Sequence, residues 1–234
     1  MNIALILAGG MGSRMGQDIP KQFIHVNNRP VIIYTLLAMQ QHAGIDRIQV
    51  VCIDGWAAIL EGYAQQFNIT KLGGIVSGGD TRYSSTRAGM ESLGSVRDED
   101  VIIVHDAVRP LVTAESLSDT IAVCKQYGNS MTILDCPDTM YARSNTQYTS
   151  EVVERSGLVR GQTPEAVSGR RMHEMYQAAD EKSVYLDSIS AMQNVLGWDI
   201  HFAKGSERNI KLTRTEDIEL FKALLMTEKD AWLK

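Results

Sequence analysis

The sequence has little cysteine and no excess of positive charge, and each shortage excludes a class of protein. Its cysteines, Cys52, Cys124 and Cys136, lie far apart and are too few for a disulfide framework in 234 residues, so a reducing cytoplasm is the expected location. With 28 acidic against 23 basic residues the net charge is -5, so we expect neither nucleic acid nor an anionic membrane as a partner. Any bound anion must be held by a local cluster of cations.

Long apolar runs and several catalytic motifs are also missing. The apolar opening, residues 3–8, has no basic leader and is far short of the roughly 20 residues that span a bilayer, which indicates folded protein rather than a targeting signal. No HExxH or Cys/His cluster indicates zinc, and no Gly-x-Ser-x-Gly turn indicates acyl transfer. Without repeats or linkers, residues 1–234 are predicted to form a single domain.

Short apolar runs rich in β-branched residues alternate with segments of helical periodicity. This alternation predicts βαβ units, and therefore an α/β fold with a mainly parallel sheet and helices on both faces. The predicted strands are residues 3–7, 48–53, 101–104 and 131–134, and the predicted helices are residues 30–41, 56–67, 84–93, 114–127 and 215–225.

Residues 138–159 do not follow this alternation of strands and helices. The segment is polar and β-prone, with Thr139, Tyr141, Tyr148 and Val152 on either side of a turn-prone Ser-Asn pair. It predicts a projecting hairpin. Because an isolated hairpin is marginally stable in water, we expect it to pack on something, and a second subunit is the obvious candidate.

The stretch LAGGMGSRMGQDIPKQF follows the first predicted strand. Gly9 and Gly10 allow the backbone to approach a ligand closely and to turn N–H groups toward an anion. A dinucleotide fingerprint requires glycine where Met15 stands, and the Gly-Lys-Ser/Thr of a P-loop is missing. Arg14 and Lys21 add positive charge, so the loop is predicted to bind phosphate. The alternative is a tight turn with surface charges.

The motif VHDAVRP follows the predicted strand 101–104. It places Asp106 and Arg109 at the carboxyl end of that strand, where open parallel sheets bind ligands. Asp106 is suited to Mg²⁺ or a hydroxyl, and Arg109 to a phosphate. The alternative is an internal salt bridge, and His105 is interpreted as a packing residue.

Two further motifs are ambiguous when taken alone. GGDTRYSS combines backbone donors with Ser84 or Ser85 at a helix start, which favours capping unless the loop lies beside the first one. In NIKLTRTED, Lys211 lies in an apolar-flanked, strand-like run and must point to solvent or to an anion, and Thr215 is a plausible N-cap.

Taken in order, LAGGMGSRMG with PKQF, GGDTRYSS, HDAVRP, DTMY, RSGL, GQTPE and NIKLT resemble the motifs of CTP-dependent cytidylyltransferases that act on sugar-alcohol phosphates. This family contains the methylerythritol 4-phosphate and ribitol 5-phosphate enzymes, and the match covers nearly the whole chain. The resemblance implies a Rossmann-like nucleotidyltransferase fold, a Mg²⁺ ion and a homodimer formed through a β-arm at about residues 138–159. It also implies transfer of CMP from CTP to the acceptor, with release of pyrophosphate.

Carried over motif by motif, the resemblance assigns roles to residues of this chain. One of these roles is metal binding: Asp106 is a candidate Mg²⁺ ligand, although the ion is expected to be held mainly by the CTP phosphates. The nucleotide-binding residues are Ala8, Gly9, Gly10, Gly79, Asp80 and Ser85; the catalytic cations are Arg14, Lys21 and Lys211; Asp106 and Arg109 face the sugar phosphate, and Thr139 and Arg155 reach it from the partner's arm.

Different motifs of the sequence indicate different acceptors. RYSSTRAG and ERSGL resemble the methylerythritol branch. The loop 185–193 matches neither branch: Asp187 matches a shared aspartate, but Ser188 replaces the glutamate usual in the methylerythritol branch. We predict D-ribitol 5-phosphate, giving CDP-ribitol, with 2-C-methyl-D-erythritol 4-phosphate as the alternative. The features that resemble the ribitol branch are the Gly9-Gly10 pair, Val108, the Asp135-x-x-Asp138-Thr139 spacing, and Gly161 before Gln162-Thr163-Pro164.

Two other functions are compatible with a glycine-rich opening. A guanylyl- or uridylyltransferase shares that opening and a later lysine, but the short chain, HDAVRP and GQTPE argue against it. A non-catalytic nucleotide-binding or sensing protein is the second, and the presence of every cation that the chemistry needs argues against it.

Overall fold

A computed structural model of the chain describes residues 1–11 and 19–229. This part contains two short 3-10 turns, Lys21–Phe23 and Arg155–Gly157, besides its strands and α-helices. In chain order, its strands and helices are β1 (Asn2–Ala8), β2 (His25–Val26), β3 (Arg29–Pro30), α1 (Val31–Gln41), β4 (Arg47–Cys52), α2 (Ala57–Gln66), β5 (Leu72–Ser77), α3 (Arg82–Glu91), β6 (Val101–Asp106), α4 (Ala114–Tyr127), β7 (Asn129–Asp135), β8 (Met140–Ala142), β9 (Glu151–Val153), β10 (Val159–Ser168), α5 (Gly169–Lys182), α6 (Ile189–Val195), β11 (Phe202–Lys204) and α7 (Thr215–Lys229).

Seven of these strands form one sheet in the order β11-β7-β10-β6-β1-β4-β5. β1 pairs in parallel with β4 and β6, and β5 continues the parallel set, whereas β10 runs antiparallel to both of its neighbours. The prediction of a mainly parallel α/β sheet is therefore confirmed, with one antiparallel strand inserted. Because Leu7 lies opposite Asp106, the loops after β1 and β6 leave the sheet side by side.

Helices cover both faces of the sheet, as predicted. Along β1, the side chains of Ala4 and Ile6 pack with α1, α2 and α4, whereas those of Ile3 and Leu5 pack with α3, α5 and α6. This alternation is the two-residue period of a strand whose faces are both buried. A third, smaller cluster joins α7 to α1 through the edge-to-face contact of Phe221 with Tyr34, whose ring centroids are 5.1 Å apart.

The predicted elements are all present except at one place. The segment 209–213, interpreted from its alternating apolar residues as strand-like, is irregular and leads into α7. β10, β11 and α5 carry no clear pattern in the sequence, because Gly161 and Pro164 interrupt β10 and only Met172, Met175 and Ala179 of α5 are apolar and buried. Residues 138–159 contain the predicted hairpin, which is formed by β8 and β9 as a separate two-stranded sheet.

A glycine allows α3 to lie close to the sheet, and substituting it is expected to destabilise the fold. A Cβ added at Gly89 would lie 2.5 Å from Cγ2 of Val51 and 2.7 Å from Cδ1 of Leu5, both in the buried core. We expect Gly89→Ala to lower the free energy of unfolding by about 1–3 kcal/mol, measured by urea denaturation. Gly62→Ala in α2 is the control, because nothing lies within 4 Å of its added Cβ. Equal effects of the two substitutions would contradict this packing.

Candidate active site

A buried carboxylate with three cations lies at the carboxyl end of β6. The side chain of Asp106 is only 4% exposed; its Oδ2 lies 3.0 Å from Nζ of Lys211 and 3.4 Å from Nε of Arg109, and its Oδ1 pairs with Arg82. Thr163 holds the backbone N–H of Asp106 through Oγ1 at 3.2 Å. The structure thus brings together three predicted residues, Asp106, Arg109 and Lys211, and adds Arg82.

This cluster carries a surplus of positive charge. Burial by itself would raise the pKa of Asp106, but the charges of Arg82, Lys211 and Arg109 hold it well below its usual range. The carboxylate is therefore ionised at neutral pH, and it is the one acidic group in direct contact with these three cations, with the buried Glu165 as a further acidic group nearby. Such an arrangement attracts anions and orders the cations that would meet them.

The segment before α7 positions Lys211 without being a strand. Arg109 Nη1 donates to the carbonyl of Asn209 at 2.7 Å, and the N–H of Leu212 donates to the carbonyl of Val108 at 2.9 Å. The Leu212 side chain is buried, so Lys211 between these anchors is directed to Asp106 and remains 39% exposed. Of the two orientations open to this lysine, the structure therefore shows the one toward the site.

The predicted cap of α7 differs in the structure, and the predicted start of α3 is shifted. α7 begins at Thr215, so Thr215 is not the cap; the carboxylate of Asp217 accepts the N–H groups of Thr213 at 2.6 Å and Arg214 at 2.8 Å instead. α3 begins two residues earlier than predicted, and Thr81 caps it in a reciprocal pair with Ser84. Ser84, one of the two serines predicted near the start of α3, is thus part of its capping box.

The two glycine loops lie side by side, which was the condition for a binding role of GGDTRYSS. A Cβ added at Gly9 would lie 3.4 Å from Oγ of Ser85 and 4.0 Å from Cα of Gly78. The Ser85 hydroxyl accepts the N–H of Gly79 and donates to its carbonyl, both at 3.1 Å, so it shapes the second loop. Asp80, the next residue of that loop, is exposed.

The PKQF motif is anchored beneath the first loop. The buried side chain of Gln22 donates to the carbonyl of Ala8 at 2.7 Å, and Phe23 stacks on Trp56 with ring centroids 4.5 Å apart. Lys21 begins this short 3-10 turn and is therefore held close to the end of β1. Gly10 is exposed at the same loop, whereas Arg14 lies outside the described residues.

The two predicted arm residues flank the hairpin of β8 and β9. Thr139 precedes β8 and Arg155 follows β9, both side chains are exposed, and Arg155 donates to the carbonyl of Pro137. Reaching the acceptor from a partner's arm stays a prediction for both residues.

Two buried or half-buried residues of the site were not assigned from the sequence. Arg82, the first residue of α3, donates Nε to the carbonyl of Asp187 at 3.0 Å besides pairing with Asp106. Glu165 on β10 is buried and accepts bonds from the Ser188 hydroxyl and the Ser190 N–H. Both stand inside motifs, GGDTRYSS and GQTPE, but only the strand order places them beside Asp106.

Asp106 is poorly suited to bind Mg²⁺ in this arrangement. Both of its oxygens face ammonium or guanidinium groups, so a metal ion would have to displace one of them. Within residues 1–11 and 19–229, no three His, Cys, Asp or Glu side chains gather as a metal site. A Mg²⁺ ion therefore remains a proposal in which the CTP phosphates hold it.

Comparison with known proteins identifies the family. A family model described as IspD, 2-C-methyl-D-erythritol 4-phosphate cytidylyltransferase, matches residues 2–227. The chain belongs to this family. It is a cytidylyltransferase, a nucleotidyltransferase enzyme, and the alternatives of a non-catalytic sensor and of a guanylyl- or uridylyltransferase are wrong.

The relatives of this cytidylyltransferase carry two acceptor names. A ribitol-5-phosphate cytidylyltransferase of Lacticaseibacillus paracasei is 39% identical over 96% of this chain and 98% of that protein. One of the same name from Vibrio parahaemolyticus is 33% identical over 98% of each chain. A 2-C-methyl-D-erythritol 4-phosphate cytidylyltransferase of Syntrophus aciditrophicus is 32% identical over 97% of each.

Solved structures support the fold of the cytidylyltransferase. A 4-diphosphocytidyl-2C-methyl-D-erythritol synthase superposes with a TM-score of 0.79 at 27% identity, covering 96% of this chain and 97% of that one. A synthase of that name from Anaerococcus prevotii gives a TM-score of 0.80 at 24% identity, covering 97% and 98%. The predicted Rossmann-like nucleotidyltransferase fold is confirmed. In the part of the chain that the structure describes, no helix is long and apolar enough to cross a membrane.

Proposed function

We propose that this cytidylyltransferase transfers CMP from CTP to D-ribitol 5-phosphate, forming CDP-ribitol and releasing pyrophosphate. The observation that carries the acceptor is the 39% identity, over nearly the full length of both chains, to a protein named ribitol-5-phosphate cytidylyltransferase. The relative named for methylerythritol phosphate stands at 32%. The Gly9-Gly10 pair and Val108 are in keeping with this acceptor.

CTP binds across the two glycine loops. The backbone around Ala8 and Gly9 lies beside the Gly79–Ser85 loop, with Ser85 buried where they meet, so that one nucleoside can contact both loops through its cytosine and ribose. Asp80 is exposed at the same loop and accepts a hydroxyl or amine of the nucleoside. The triphosphate extends over Gly10 toward Lys21, and the charges of Lys21 and Arg14 neutralise it.

The acceptor phosphate binds at Lys211 and Arg109. One of its oxygens attacks the α-phosphorus of CTP and forms a new P–O bond. The bond from the α-phosphorus to the oxygen that bridges the α- and β-phosphates breaks, and pyrophosphate leaves with that electron pair. A phosphate monoester is already largely ionised at pH 7, since its second pKa is about 6, so no strong general base is required. The main task of the site is to bring two anions together, and Lys21, Arg14 and Lys211 do this by neutralising charge.

Asp106 positions the cations of its own cluster and does not itself react. Its buried carboxylate fixes Lys211, Arg109 and Arg82 in one cluster, which pre-organises them for the acceptor phosphate. A Mg²⁺ ion bound to the CTP phosphates would further neutralise the charge of the pyrophosphate.

The arm forms a homodimer in this proposal, and Thr139 and Arg155 enter the partner's site. Three large apolar side chains of the arm support it: Tyr141, Tyr148 and Val152 are 58%, 64% and 63% exposed in the single chain. An isolated two-stranded hairpin is marginally stable, so a second subunit that covers these side chains would stabilise it. The unpaired, buried Cys52, Cys124 and Cys136 support a cytoplasmic location.

A pyrophosphate-release assay tests the proposed function. With CTP and Mg²⁺ we expect kcat/KM for D-ribitol 5-phosphate to exceed that for 2-C-methyl-D-erythritol 4-phosphate by at least about tenfold, because a site built for one set of hydroxyls leaves polar groups unpaired with the other. Mass spectrometry should identify CDP-ribitol as the product. UTP and GTP are the nucleotide controls. Turnover of methylerythritol phosphate alone would overturn the acceptor, and faster release with UTP or GTP would overturn the nucleotide.

A further inference from the structure

The loop between α5 and α6, residues 183–188, has a buried carboxylate behind it. Glu165 projects from β10 and is 6% exposed, and its Oε1 and Oε2 lie 2.9 and 3.0 Å from the Ser188 hydroxyl. Oε2 also accepts the N–H of Ser190 at 3.1 Å. The same Ser188 oxygen accepts the N–H of Ala191 at 3.1 Å and so caps α6. A hydroxyl can donate to Glu165 and accept at the helix start simultaneously.

The front of this loop touches the acceptor side of the site. Arg82 donates Nε to the carbonyl of Asp187 at 3.0 Å, while Nη1 of the same guanidinium pairs with Asp106. The ring of Tyr185 also meets the edge of Tyr83, the residue after Arg82, at a centroid distance of 5.0 Å. The side chains of residues 185–187 are themselves exposed. Val184 anchors the start of the loop, packing on the core and donating its N–H to the carbonyl of Ala179 at 2.9 Å, so the position of residues 185–188 depends on the contacts with Tyr83, Arg82 and Glu165.

These contacts form a continuous chain from Glu165 through Ser188 and Asp187 to Arg82 and Asp106. A displacement of Ser188 moves the Asp187 carbonyl and removes one of the two anchors of the Arg82 guanidinium. Arg82 stands in the Gly79–Ser85 loop, but the backbone of the two glycine loops is held by other bonds, from Gln22 to Ala8 and from Ser85 to Gly79. A change at Ser188 therefore reaches the Arg82 side chain rather than the loop backbone that receives the nucleotide.

We propose that Glu165 and Ser188 are a matched positioning pair that holds the 183–188 loop against Arg82 and so determines the affinity for the acceptor phosphate ester, but not for CTP. The pair accommodates one carboxylate. A second one at position 188 would face Glu165 in a buried setting, where two like charges repel strongly. The inference rests on the proposed function, because it assigns the Asp106 cluster to the acceptor.

The test uses a second carboxylate and its compensation. Ser188→Glu is expected to raise the KM for the acceptor by about tenfold or more and to change the KM for CTP by less than about twofold. Glu165→Gln combined with Ser188→Glu removes the like charge and is expected to bring the acceptor KM back to within about threefold of the unmodified protein. Equal increases in both KM values, or a folded double variant without recovery, would overturn the inference.

A milder pair of variants serves if Ser188→Glu does not fold. Ser188→Thr keeps the hydroxyl and should match the unmodified protein, whereas Ser188→Ala loses both bonds and should raise the acceptor KM by about threefold. Identical acceptor KM values for these two variants would count against the pair.

Hydrogen exchange separates this inference from the proposed function. Amides of residues 183–191 are expected to exchange about tenfold faster in Ser188→Glu and to recover in the double variant, without any substrate present. If neither acceptor is turned over, the proposed function fails, but these exchange rates still decide whether the pair holds the loop. Unchanged exchange in Ser188→Glu would overturn the pair whatever the turnover.

Discussion

Replacing Lys211 with methionine is expected to lower kcat for CMP transfer by about 10²- to 10³-fold, the loss typical for removing one group that stabilises charge in a transition state. Two anions approach each other in this reaction, and the Lys211 ammonium extends from the Asp106 cluster while remaining 39% exposed. Methionine keeps the length of the side chain and removes the charge. Steady-state pyrophosphate release, with both substrates saturating, measures the effect.

The fold should survive this substitution, which makes the kinetic effect interpretable. Arg82 and Arg109 still contact the Asp106 carboxylate, so no buried charge is left without a partner. Lys204→Met is the matched control, because that lysine pairs with the exposed Glu115 outside the cluster, and we expect a change within roughly twofold. A Lys211→Met rate within about threefold of the unmodified protein, at unchanged melting temperature, would mean that the lysine only balances Asp106.

Replacing Asp106 with asparagine is expected to reduce both stability and turnover. The substitution leaves Arg82, Arg109 and Lys211 together without their shared counter-ion, and breaking a buried ion pair from one side costs about 3–5 kcal/mol. Urea denaturation measures the loss of stability at pH 7. Turnover should also fall severely, because the cations then repel one another and lose their common anchor.

The stabilising effect of Asp106 is expected to decrease at low pH. The folded pKa of Asp106 lies below the unfolded value of about 3.9, so its stabilising contribution is fully present above that value and is lost as the pH falls further. The difference in stability between the unmodified protein and Asp106→Asn should therefore shrink below about pH 4. Asp98→Asn, which removes an exposed pair with Arg170, is the control and should have little effect at either pH. A difference that stays constant down to pH 2 would contradict the proposed role of the ionised carboxylate.

Much of the sheet could be predicted because its strands are locally distinctive. The runs at β1, β4, β6 and β7 combine β-branched residues with turn-prone boundaries, and α4 follows its predicted bounds, residues 114–127. β10 could not be predicted in the same way, since Gly161 and Pro164 interrupt it and it runs antiparallel between two long-range partners. The strand-like appearance of residues 209–213 was misleading because their hydrogen bonds go to a loop, through Leu212 and Val108, rather than to a sheet.

Local chemistry was sufficient for the alternation of strands and helices, the glycine-rich approach of the backbone and the choice of Asp106 and Arg109 at the end of a strand. Lys211 was ambiguous by local chemistry and was chosen from the ordered set of motifs. Only the tertiary structure brings Asp106, Arg109 and Lys211 together. Arg82 reaches Asp106 over 24 positions and the Asp187 carbonyl over 105, and Glu165 reaches Ser188 over 23. Such contacts depend on strand order and register, which follow from how the whole core packs and cannot be read from any neighbouring residues.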